Sequence, residues 1–213
     1  MHVSGIILRD LRRAWTGGGL LWPVAFFLLV ATLFPFAVGP DAALIGRIGG
    51  GVIWAAALLA ALLPVERLIA PDVEAGVIDQ YAVRGVPLAL VAFAKTIAHW
   101  LGFAPPLMLA AVIAAGLFDL PAATLLRVEA GLLVGTPGLA ALAVATSALV
   151  TGLRGGGGVA GLVMLPLAIP LLIFGAGSLD TGVGALKLLG AVSLLLTAGA
   201  PWIAAAAIRA GMD

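Results

Sequence analysis

"VERLIAPDVEAGVIDQYAVRG", from Val65 to Gly85, separates two long apolar runs and decides how the rest of the chain is read. The chain has 11 basic and 10 acidic side chains, and six of these fall here: Glu66, Arg67, Asp72, Glu74, Asp79 and Arg84. The composition around this island is 63% hydrophobic and 10% charged. Soluble domains carry roughly 45–50% apolar and about 25% charged residues, so this chain lacks the polar surface to cover a globule in water. It reads as a membrane protein, and its 29 glycines suit that class. The absence of cysteine excludes disulfides, thiolate metal sites and cysteine catalysis. A net charge of +1 gives no whole-molecule attraction to nucleic acid.

Working outward from the island, six stretches are apolar over about the 20 residues a helix needs to cross the hydrocarbon core. They are predicted at Leu20–Val38, Gly50–Val65, Leu88–Leu117, Leu125–Val150, Val159–Gly177 and Leu186–Ile208. The second is short, and can extend through Ile69. The third is long, and Pro105-Pro106 is expected to kink it, since proline removes a backbone donor and clashes one turn back. Residues 1–213 read as a single all-α membrane domain with no room for a soluble one.

Six spans put both termini on one side. Arg9, Arg12, Arg13, Arg67, Arg84, Lys95, Arg154 and Arg209 lie there, against Arg47, Arg127 and Lys187 on the other. Basic residues are retained in the cytoplasm, so both termini and the island are expected there. The first apolar run is too long for a signal-peptide core, so no cleavage after "AVG" at Ala37–Gly39 is expected. Before it, residues 2–16 suit a helix lying in the interface, with Val3, Ile7, Leu11, Ala14 and Trp15 on its apolar face. Arg9, Arg12 and Arg13 lie opposite, and Asp10 is an exception near the apolar edge.

Much chemistry is missing. The spans hold almost no ionisable groups, contrary to a proton- or sodium-driven carrier; Lys95 and Glu129 sit near span ends. No Walker A motif is present, so ATP hydrolysis must come from another polypeptide. No catalytic residue, metal site or resident cofactor is expected. His99 is the one candidate haem ligand, and a lone histidine beside Trp100 reads better as an interfacial hydrogen-bonding residue. Glycine pairs at Gly46/Gly50, Gly131/Gly135 and Gly157/Gly161 have the spacing that lets helices approach closely or self-associate. Gly155–Gly158 reads as a turn.

Within the island, Asp72–Tyr81 is expected to form a short helix with Val73, Val77, Ile78 and Tyr81 toward the membrane. Asp72, Asp79 and Gln80 then face the cytoplasm. Both signs of charge with apolar anchors suit a surface that docks a partner.

The run "TLFPFAVGPDAALIGRIGGGVIWAAALLAALLPVERL", then "AKTIAHW", "LLVGTPGLAAL", "LRGGGG" and "LPLAIPLLIFGAG", closely resembles CcmB, the haem exporter protein B family. The likeness covers nearly the whole chain in order. It implies an ABC-2-like permease with an interfacial N-terminal helix, six spans, and a coupling helix between spans two and three. The coupling segment carries over to Glu66, Arg67, Asp72, Glu74, Asp79 and Gln80; Pro64, Pro71 and Tyr81 depart from the family's pattern and blur its limits. The implied partners are a CcmA-like ABC ATPase, CcmC, CcmD, the haem chaperone CcmE and a second copy of this chain, in a bacterial inner membrane. ATP hydrolysis would release haem-loaded CcmE from CcmC. A conduit for haem itself and a passive scaffold for haem-handling proteins are the alternatives.

Overall fold

In the computed structural model the described residues are 3–16, 19, 21–39, 41–151, 153, 156–180 and 182–211. His2, Arg154, Gly155 and Asp213 fall outside them. The chain forms α1 (Val3–Thr16), α2 (Leu21–Val38), α3 (Ala42–Leu62), a 3₁₀ turn (Val65–Arg67), α4 (Ala70–Glu74) and α5 (Val77–Val83). It continues with α6 (Leu88–Leu117), α7 (Ala122–Val150), α8 (Gly156–Asp180) and α9 (Val183–Ala210). Six of these helical stretches are long and apolar enough to cross a membrane, which makes this an all-α, multi-pass membrane protein.

The six predicted spans are present, with shifted ends. The second begins at Ala42, eight residues before Gly50, because Asp41 caps it by accepting a hydrogen bond from the Leu44 N–H at 3.0 Å. It ends at Leu62, and a 3₁₀ turn replaces the expected extension toward Ile69. The expected glycine turn is also corrected: α8 already includes Gly156–Gly158. Extending a formed helix by one turn needs no new nucleus, so the apolar run beyond carries it upstream. α6 runs unbroken through Pro105 and Pro106. Its 30 residues make it about 45 Å long, against a hydrocarbon core of about 30 Å, so its ends reach past the core.

α7 is the most enclosed span and packs against α9, α8, α6 and α3. Its small residues make this possible. Trp54 of α3 is fully buried against a wall of glycines: a Cβ on Gly175 would fall 2.5 Å from its ring, on Gly135 2.6 Å, and on Gly131 3.1 Å. The Gly131/Gly135 pair is therefore a true close-packing face. A Cβ on Gly46 or Gly161 would meet nothing, whereas one on Gly50 would strike Leu179. The spacing alone did not separate these cases.

The bundle has two unlike ends. At one, Phe118 packs where a Cβ on Gly49 would sit, and Arg127 donates to the Leu179 carbonyl at 3.0 Å. At the other gather α1, residues 65–84, and the first turns of α6.

Candidate functional site

The island is anchored from below by apolar side chains. Ile69, Ile78 and Tyr81 are buried with Ile6 of α1, Val91 of α6 and Ile208 of α9, and Val73 and Val77 pack against the same cluster. The set expected to face the membrane, Val73, Val77, Ile78 and Tyr81, thus faces inward against other helices of the bundle. Its helix is not continuous, however. Gly76 adopts φ +66°, a left-handed conformation that ends α4 and lets α5 start anew. The backbone break before α4 is held by α7: the Ile69 N–H donates to Ser147 Oγ at 3.1 Å.

Asp72 corrects the sequence reading. Expected to face outward, it is 3% exposed, because a network of cations holds it inward. Lys95 Nζ and Arg9 Nη2 both lie 2.5 Å from Asp72 Oδ2, and Arg13 Nη1 lies 3.3 Å from Oδ1. Lys95 also donates to Asp10 Oδ2 at 2.9 Å and to the Leu68 carbonyl at 3.0 Å. Arg9 donates through Nε to Asp10 Oδ1 at 2.8 Å. Three cations share two carboxylates, which leaves one positive charge in excess. A buried carboxylate is tolerated only when paired and hydrogen-bonded in this way.

This network sets how α1 sits. Ile6 is buried, and Asp10 and Arg13 follow it at helical spacing, so the inward face is Val3, Ile6, Asp10 and Arg13. Of the predicted face, Val3 and Ile7 pack against the same cluster and Leu11 and Ala14 are half-buried, whereas Trp15 is 62% exposed. Of the predicted outward arginines, only Arg12 is free of the network.

Two titrations follow from the packing. Burial opposes the charge of Arg9, but the hydrogen bond to Asp10 and the charges of Asp10 and Asp72 outweigh it and raise its pKa. Burial raises the pKa of Tyr81; Arg9, whose guanidinium carbon is 5.9 Å from the ring centroid, pulls back, and Asp10 and Asp72 add to the rise. Arg9 stays a cation and Tyr81 a neutral phenol at physiological pH.

The other island residues divide. Glu66, Glu74, Asp79 and Gln80 are exposed. Arg67 is exposed beside Glu66 and borders a cavity. His99 stacks on Phe103 with ring centroids 5.6 Å apart, and its buried Nε2 has no partner among the described residues. The expected hydrogen-bonding role is therefore not met by the protein at that nitrogen. Sequence reasoning missed the joint role of Asp10, Asp72 and Lys95. The signals were present: one acid on an apolar helix edge, and one lysine inside a span.

Comparison with known proteins agrees with this architecture. The model of the CcmB protein family matches residues 1–211. The chain belongs to the CcmB family. It is 41% identical to the Heme exporter protein B of Rhodobacter capsulatus, over 99% of this chain and 100% of that one. It is 40% identical to that of Haemophilus influenzae, over 98% and 97%, and 38% identical to that of Escherichia coli K12, over 88% of each. Within the CcmB family frame, the charge cluster joins the N-terminal helix to the segment between spans two and three.

Proposed function

We propose that this chain is the membrane-spanning subunit of a haem-export complex serving cytochrome c maturation. It forms a single membrane domain, in a bacterial inner membrane, with both termini cytoplasmic. A CcmA-like ATPase docks on Glu66, Glu74, Asp79 and Gln80. Hydrolysis there moves the island, and the spans carry that motion across the bilayer to release haem-loaded CcmE from CcmC. CcmD and a second copy of this chain complete the assembly. The catalytic work belongs to the ATPase, and this subunit passes on the movement.

The observation that carries this reading is the mounting of the island. Its outer face is acidic and exposed, while its inner face is tied to α1 and α6 through Asp72. A solvated loop needs no such mounting, whereas a segment that receives force must be fixed to what it moves. Two-state repacking of spans is the general means by which a local push becomes a global change.

The test reverses Glu74 and Asp79 together to Lys. Each exposed charge alone contributes only about 0.2–1 kcal/mol, so single changes are expected to be silent. The double reversal sets like charges against a complementary site and is expected to cost several kcal/mol there. The variant inserts normally but loses ATPase co-purification or cytochrome c maturation. Wild-type levels of both refute the docking role.

A further inference from the structure

Between α1, the start of α2, the end of α3 and the early turns of α6 lies a cavity of about 510 Å³. Its size is that of an ordinary small-molecule site. Its body is apolar, with Trp22, Leu63 and Phe103 in the wall, and its rim is basic, with Arg13 and Arg67. Lys95 and Asp10 also border it, already paired to each other. Three cations and one carboxylate therefore face the space.

Two groups here lack what buried or charged groups ordinarily have. The Arg67 guanidinium makes no ion pair or hydrogen bond among the described residues, its backbone N–H alone donating to the Pro64 carbonyl. The His99 Nε2, shut off from solvent, has no hydrogen-bond partner among the described residues. That nitrogen is closed even to a water molecule, so the exposed Arg67 guanidinium is the group that an occupant can reach. The position narrows the chemistry. Trp22 is exposed at the start of a span and α1 lies across it, which places the mouth at the membrane interface. Basic pockets between spans at that depth suit acidic head groups.

We propose that this cavity binds an amphiphile with an acidic head group. The head sits on Arg67 and Arg13, and the apolar body lies against Leu63, Phe103 and Trp22. An anionic phospholipid from the bilayer is the expected source; a tetrapyrrole bearing carboxylates has the same chemistry. The site is independent of the acidic face proposed to dock the ATPase.

The full-length protein is reconstituted in phosphatidylcholine with a minor share of phosphatidylglycerol, then released, and its retained lipids are counted by native mass spectrometry. Phosphatidylglycerol is expected to be retained in preference. Arg67→Gln is expected to lower retention about tenfold, the loss of one charge-assisted contact. Ala98→Leu, which fills the cavity wall without touching charge, is expected to lower it as well. In a second arm, iron protoporphyrin IX is added to the lipid-loaded protein and its Soret band followed. If it leaves the lipid in place, the bilayer is the source. One-for-one displacement that is lost in Arg67→Gln makes the tetrapyrrole the source. Equal retention of both lipids, unchanged by either variant and with no saturable porphyrin binding, overturns the proposal.

Discussion

The Trp54 packing site and the Asp72 charge cluster hold the same bundle by opposite means. Around Trp54, three glycines from α7 and α8 bring backbone against an indole whose N–H has no partner among the described residues. Shape does everything there. Around Asp72, five charged side chains from α1, α4 and α6 are matched atom to atom, with Lys95 using its three donors on Asp10, Asp72 and the Leu68 carbonyl. A steric contact fails when volume changes. A charge cluster fails when its count of charges changes, and recovers when the count is restored. The membrane interior thus carries the permanent joint, and the interface carries the one that can be exchanged.

The sharpest way to break this contrast is Trp54→Ala. Removing a fully buried tryptophan is expected to cost about 3–5 kcal/mol, with a cavity between α3, α7 and α8. Denaturation in mild detergent reads the loss, and no charge substitution elsewhere should recover it. A cost under about 1 kcal/mol would mean that the glycine wall collapses freely.

Asp72→Asn comes next. It leaves Lys95, with a 5% exposed side chain, and Arg9 short of a carboxylate, at an expected cost of about 3 kcal/mol. Replacing Lys95 with Met in the same variant should return most of that loss, since the excess falls back to the single positive charge of the parent cluster. Failure of the second change to recover stability would make this site steric too. Arg13→Ala is the smallest effect: its side chain is 61% exposed and its contact is 3.3 Å, so less than about 1 kcal/mol is expected. A loss as large as that of Asp72→Asn would show that all three cations are equivalent.

The spans were legible because an apolar run of that length has few other fates, and the fold class followed from them. The island's apolar register was legible too, since Val73, Val77, Ile78 and Tyr81 repeat at helical spacing. Asp72 was not. Its partners Arg9, Arg13 and Lys95 lie on two other helices, and no local pattern says that an acid beside an exposed Glu74 turns inward. The pairing of Arg9, Asp10 and Arg13 was missed for the same reason: periodicity weighs apolar side chains and carries no sign of Asp72 or Lys95 on other helices. Trp54 shows a third limit, because Gly175 of α8 joins the Gly131/Gly135 pair of α7 against it, and no sequence interval links the two helices or points to the tryptophan.

Gly76 gives the island a mechanical character. With φ +66° it has no side chain to brace α4 against α5. One short rod is fastened through Asp72 to α1 and α6, and the other carries Asp79 at its free surface. Such an elbow passes on a pull or thrust along its length but absorbs a sideways bend. A substitution such as Gly76→Ala, strained at this backbone angle, would straighten or stiffen it. Under the proposed docking role, the spans would receive a directed stroke, filtered from the general jostling of a partner on the acidic face.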